Sequence, residues 1–137
     1  MPDFGKESIL IIPQLHHNLQ AVMFEAIKYI DFKLICGYRN QIEQDAAFNT
    51  GNSKLRWPDS KHNKFPSQAV DVVPYFKNPP HVRWNDEQSF YLLAGYIKAI
   101  ADNLNIKIRW GGNWLHDNDY EKPKFIDLPH IELAEDN

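Results

Sequence analysis

Four polar residues stand out by type and spacing. His62 lies in the turn-prone stretch Ser60-Lys61-His62-Asn63-Lys64, and nine residues later Asp71 interrupts the apolar run Ala69-Val70-Asp71-Val72-Val73. A carboxylate buried in a β-branched run must be paired, hydrogen-bonded or bound to a metal. Near the C-terminus, Asp127 and His130 occupy the segment Phe125-Ile-Asp-Leu-Pro-His-Ile-Glu-Leu133. Two histidines and one carboxylate leave a fourth position open, which is how a catalytic zinc ion is held. His62, Asp71 and His130 are therefore the expected ligands of one divalent ion. Such an ion acidifies a water and polarises a carbonyl, chemistry suited to amide hydrolysis. A carboxylate outside the coordination shell must then carry the proton to the leaving amine. Asp127, three residues before His130 and stiffened by Pro129, is the expected general base; Glu132 is its rival and otherwise a partner for His130. Arg39 is expected to hold the developing oxyanion or a substrate carboxylate, with a surface arginine paired with Glu43 or Asp45 as the alternative. His-x8-Asp is not the helical His-Glu-x-x-His arrangement. On the residues alone, a structural use of these groups and a non-haem iron oxygenase stay open.

The elements that must position them follow from hydrophobic periodicity. Leu15, Leu19, Val22, Met23, Ala26, Ile27 and Ile30 predict an amphipathic helix from about 14 to 30, with Pro13 in its first turn and His16 and His17 solvent-facing or hydrogen-bonded. Phe32 to Cys36 predicts a strand, with Cys36 a buried, inert thiol. Asn40 can cap a helix over 41–49, which leaves Arg39 between two elements. Residues 50–64 form a polar connection longer than usual, expected to be functional or mobile. A strand is predicted over 68–73, and His81 falls in the proline-rich loop beyond it as an exposed or structural residue. Asn85 or Asp86 caps a long helix striped by Phe90, Leu93, Ala94, Ile97, Ile100, Ala101 and Leu104. Strands are predicted over 105–110 and, with His130 and Glu132 on one side, over 129–133.

The 137 residues suit one compact domain, 1–137, and 18 aromatic residues argue against disorder (four Trp, six Tyr, eight Phe). A net charge of −3, with scattered lysines and arginines, gives no general attraction to nucleic acid or anionic lipid. One cysteine permits no internal disulfide, and neither a signal peptide nor a transmembrane run is evident, so a cytoplasmic monomer with no membrane association is expected.

Four tracts in order carry a resemblance: Gly37-Tyr-Arg-Asn-Gln-Ile-Glu-Gln44, Ser60-Lys-His62 through Ala69-Val-Asp71, Arg109-Trp-Gly-Gly-Asn-Trp114, and Asp127-Leu-Pro-His-Ile-Glu-Leu133. The chain resembles the zinc peptidases of the D-Ala-D-Ala carboxypeptidase and L-alanyl-D-glutamate endopeptidase group, above all its small phage endolysins. The resemblance implies an α+β fold, a small, mainly antiparallel sheet backed by helices. It implies Zn2+ bound by His62, Asp71 and His130, with Asp127 as general base and acid, Arg39 assisting, and Trp110 and Trp114 near the site. It also implies bacterial peptidoglycan stem peptides as substrate, and a protein held in the host cytoplasm until lysis. The chain departs from the group's Ser-x-His-x-x-Gly-x-Ala-x-Asp pattern: two additional residues separate His62 from Asp71, and Phe65-Pro66-Ser67 replaces the glycine turn. The expected reaction is cleavage of the L-alanyl-D-glutamate bond. A D,D-carboxypeptidase and a noncatalytic, metal-stabilised wall-binding or structural protein are the alternatives.

Overall fold

A computed structural model describes residues 2–112 and 126–134. The centre is a four-stranded, fully antiparallel sheet in the order β1-β2-β4-β3, formed by β1 (Phe32–Cys36), β2 (Ala69–Pro74), β3 (Ile108–Trp110) and β4 (His130–Leu133). Alternation along each strand divides the sheet into two faces. Leu34, Val70, Val72, Ile108, Trp110, Ile131 and Leu133 join one buried apolar cluster. Burying a side chain of this kind contributes about 1.5–3 kcal/mol, so this face supplies the cohesion. The opposite face is left to Asp71, His130 and Glu132. Register fixes their neighbours: Asp71 is opposite His130, and Glu132 is opposite Ala69 on one side and Arg109 on the other.

Two helices cover the apolar face. Helix α2 (His17–Ala26) buries Leu19, Val22, Met23 and Ala26; α4 (Glu87–Asn103) buries Leu93, Ala94, Ile97 and Ala101 and starts at an Asp86 side-chain cap. The expected helix over 14–30 is shorter at both ends. Pro13 belongs to a 3-10 turn (Ile12–Gln14), Leu15 is extended, and the His16 side chain caps α2 through Nδ1, 3.1 Å from Asn18 N. A helix that hydrophobic spacing does not announce, α1 (Lys6–Ile11), lies against β1, where the Ser8 hydroxyl accepts the Leu34 N–H.

Helix α3 (Gln41–Asn49) begins as expected at Asn40, in a reciprocal capping box with Glu43. The strand predicted over 105–110 starts only at Ile108. Asn105 takes a left-handed backbone (φ 58°) to end α4, and the ladder resumes three residues later. Among the described residues, no helix is long and apolar enough to cross a membrane.

Candidate metal centre

Asp71 and His130 arrive side by side because antiparallel pairing sets directly opposed residues on one face. His62 comes from a separate 3-10 turn, Lys61–Asn63, held by its own capping box. The Ser60 hydroxyl accepts the His62 N–H, and the Asn63 side chain accepts the Ser60 N–H. The turn is tied to the β1–α3 junction by Arg39 N–H to the His62 carbonyl (2.8 Å) and by Asn63 Nδ2 to the Arg39 carbonyl (3.0 Å).

The result is a triangle of donor atoms. His62 Nε2 lies 3.2 Å from Asp71 Oδ1 and 3.3 Å from His130 Nδ1, and His130 Nδ1 lies 3.3 Å from Asp71 Oδ1. Ligands at 2.0–2.1 Å in a tetrahedron are separated by about 3.3 Å. The triangle is therefore the base of a zinc-sized tetrahedron. Tautomers agree with this. The other nitrogen of His62, Nδ1, is 2.7 Å from the Gly37 carbonyl, and the other nitrogen of His130, Nε2, is 2.9 Å from Glu132 Oε1. Each imidazole can donate its proton outward and present a lone pair inward. The donor set fits a divalent ion.

Burial opposes ionisation of Asp71, yet the two imidazoles hold it well below the usual carboxylate range. Burial likewise opposes a charge on His62, but Asp71 outweighs it and lifts the imidazole to about 10. His130 is also raised: burial works against the charge, and hydrogen bonds to Asp71 and Glu132 prevail.

Asp127 stands just outside the triangle, with Oδ2 4.0 Å from His130 Nδ1. Its backbone is strapped to Gly111: Asp127 N–H reaches the Gly111 carbonyl (3.0 Å), and Gly111 N–H reaches the His130 carbonyl (2.8 Å). Trp110, placed near the site by the resemblance, is buried and donates Nε1–H to the Leu128 carbonyl at 2.7 Å, steadying the same turn. Trp114 lies outside the described residues. Burial, reinforced by repulsion from Asp71, raises the Asp127 carboxyl to about 6, although His130, His62 and Arg39 pull the other way.

Arg39 also reaches the cluster, with Nη2 3.7 Å from Asp71 Oδ2. Its Nη1 donates at 2.9 Å to Gln44, a fully buried side chain. Gln44 Oε1 also accepts from Asn63, while its Nε2 donates to Ser53 Oγ and the Leu55 carbonyl. One interior amide thus joins Arg39, the His62 turn and the 50–60 loop. That loop forms a wall of a cleft of about 320 Å³, which Arg39, His62, Asp127 and His130 also line.

Sequence reasoning did not single out Gln44, which looks like any polar helical residue. Asn63 had a signal in the Ser-x-x-Asn spacing of the capping box. Cys36 requires a correction. It is half-buried and faces the site, with Sγ 3.8 Å from His62 Nδ1 and 3.7 Å from Arg39 Nη2. A bulge between Leu34 and Cys36 turns it opposite Asp71 rather than into the core. His16 is hydrogen-bonded as expected, though as the cap of α2 rather than inside its first turn, and His81 is exposed as expected, with Nδ1 2.8 Å from the Phe76 carbonyl. The residues between His62 and Asp71 form a pinned loop. Ser67 N–H bonds the Gln14 carbonyl, its own carbonyl takes the His16 N–H, and its buried hydroxyl lies 3.1 Å from the Gly37 carbonyl that also faces His62.

The sheet with helices on one face and a histidine–carboxylate cluster on the other defines an α+β protein with a site capable of holding a metal ion. The phage L-alanyl-D-glutamate peptidase family model matches residues 2–134, and the chain belongs to that family. It is 29% identical over 136 residues to the L-alanyl-D-glutamate peptidase of Escherichia phage T5, covering 96% of this chain and 97% of that one. The fold is that of the crystal structure of the Serratia marcescens L-Ala D-Glu endopeptidase ChiX, with TM-score 0.71, 24% identity, and 96% and 90% of the two chains covered. The expected α+β architecture, an antiparallel sheet backed by helices, is the one observed.

Proposed function

We propose that this chain is a zinc-dependent peptidoglycan hydrolase that cleaves the L-alanyl-D-glutamate bond of bacterial stem peptides, and that it serves as a phage endolysin. The observation that carries the reading is the triangle of His62 Nε2, Asp71 Oδ1 and His130 Nδ1 with Asp127 beside it. Family membership and the named activities of the two relatives support the choice of bond. A zinc ion bound by His62, Asp71 and His130 supplies an acidified water and a polarised carbonyl.

The rest of the work falls to the chain itself. Asp127 Oδ2 takes a proton from the attacking water and returns it to the departing amine of D-glutamate. Its carboxyl, raised by burial to about 6, suits both directions of transfer near neutrality. Arg39, aimed by Gln44, offers its guanidinium to the carbonyl oxygen or to a substrate carboxylate. Glu132 keeps His130 in the tautomer with Nδ1 facing inward. The protein acts as a monomer that stays in the host cytoplasm until lysis and then reaches the wall.

Mass analysis of digested purified peptidoglycan tests this. The expected products are glycan fragments retaining L-alanine and peptides with a new D-glutamate amino terminus. Loss of terminal D-alanine alone would assign a D,D-carboxypeptidase instead. Intact wall with zinc bound would leave a noncatalytic protein.

A further inference from the structure

The β2–β4 ladder fixes His130 against Asp71, but the turn carrying His62 belongs to no strand. Something must hold that turn at ångström tolerance against β4. Lys61, the residue before His62, makes the connection twice. Its carbonyl accepts the Gln68 N–H (3.1 Å), and the Gln68 carbonyl accepts the Leu133 N–H (2.9 Å). Its ammonium returns to the same strand, donating to the Leu133 carbonyl and lying 3.5 Å from Glu132 Oε2. The two charged side chains are only 18% and 12% exposed, so solvent screens the pair weakly.

Glu132 is the acceptor for His130 Nε2 through its other oxygen. A carboxylate held at one oxygen by an ammonium and at the other by an imidazole has little freedom to turn away. Arg109 also approaches Glu132 Oε2, but at 3.9 Å and from a side chain 39% exposed, where an ion pair is worth least.

We propose that Lys61 is the positioning residue of the metal centre: it clamps Glu132, and through it His130, to the turn that bears His62. The inference rests on the metal-binding part of the proposed function. Lys61 lines the edge of the cleft beside Glu132 and its recorded side-chain contacts are with Glu132 and Leu133, so its effect is read first as metal affinity, which a lost substrate contact would not move.

The test compares wild-type protein with Lys61→Met, Glu132→Gln and the double variant, measuring zinc affinity by competition with a chromogenic chelator. Lys61→Met is expected to weaken zinc binding about ten- to a hundredfold and to lower kcat with KM little changed. In the Glu132→Gln background the same substitution is expected to cost less than about twofold, because the clamp is already released. Should Lys61→Met fail to fold, Lys61→Gln, which keeps an N–H donor for the Leu133 carbonyl, takes its place in both comparisons. Zinc affinity within twofold of wild type, or an undiminished loss in the Glu132→Gln background, would overturn the clamp. Wild-type protein that binds zinc but leaves peptidoglycan intact would reject the hydrolase reading and leave the clamp standing.

Discussion

Asp71 and His130 face each other directly across the β2–β4 ladder, with Oδ1 and Nδ1 3.3 Å apart. Backbone hydrogen bonding, not loop geometry, therefore sets two corners of the metal triangle. The third corner, His62, is delivered by a capped turn outside the ladder. His62→Ala should leave the sheet intact while abolishing stoichiometric zinc binding, measured by elemental analysis of purified protein. Full zinc content in that variant would mean that the ion sits elsewhere.

Protonation opposes metal uptake here. The His62 pKa is raised from 6.5 to about 10, so in metal-free protein its proton gives stability that is fully present below pH 6.5 and is lost as pH rises through 10. A metal must displace that proton. Apparent zinc affinity should therefore increase with pH from 6.5 toward 10, and binding near pH 7 should release protons. Titration calorimetry in buffers of different ionisation enthalpy measures the release; affinity flat with pH would contradict it.

Asp127 must be ionised to accept a proton. With its carboxyl raised to about 6, kcat/KM should fall on the acid side. A bound cation can only lower that value, which puts the acid limb at or below about 6. Asp127→Asn should reduce kcat by about 10²–10⁴, remove this limb, and preserve zinc content and melting temperature. Near-normal turnover would transfer the role to another group.

Gly111 exists as glycine for a steric reason. A Cβ there would stand 1.9 Å from the Asp127 carbonyl oxygen, a backbone atom unable to swing aside. Gly111→Ala should push the Asp127–His130 turn away from β3. The expected result is a drop of at least about tenfold in kcat, as small misplacements near a reacting centre can cost about a hundredfold, together with a lower melting temperature. Unchanged kinetics would show that the strap does not set Asp127.

Gln44→Leu removes the acceptor shared by Arg39 and Asn63 and the donor held by Ser53 and Leu55. Leaving buried polar groups unpaired costs about 1–3 kcal/mol. Thermal unfolding should report that loss, and kcat/KM should fall beyond what the lost stability explains, because Arg39 is no longer aimed. Equal losses in Gln44→Leu and in a core variant of matched stability would deny Arg39 this dependence.

The parts of this structure legible in the sequence are those governed by local rules. Asn40 announced the N-cap of α3; Val70 and Val72 announced β2; Asp71 was conspicuous because an acid in such a run needs a partner. What escaped depends on contacts across the chain. Cys36 sits in an apolar run, and only the bulge against β2 reveals that it faces Asp71. Leu15 keeps the helical spacing of its neighbours, yet it is extended and bridges to Ser67. His16 is an unusual cap, so the true start of α2 was hidden. Lys61 and Gln44 had no local signature, since each acts through partners brought together only by folding.

The loop that walls the cleft hangs from Gln44 at two points, the Ser53 hydroxyl and the Leu55 carbonyl, and the second is indifferent to which side chain Leu55 carries. The cleft wall and the histidine–carboxylate cluster are thereby mechanically separable. With Ser53 kept, residues 54–59 are open to exchange while the strands carrying Asp71 and His130 stay untouched, which makes this scaffold a candidate for reshaping its cleft by loop grafting.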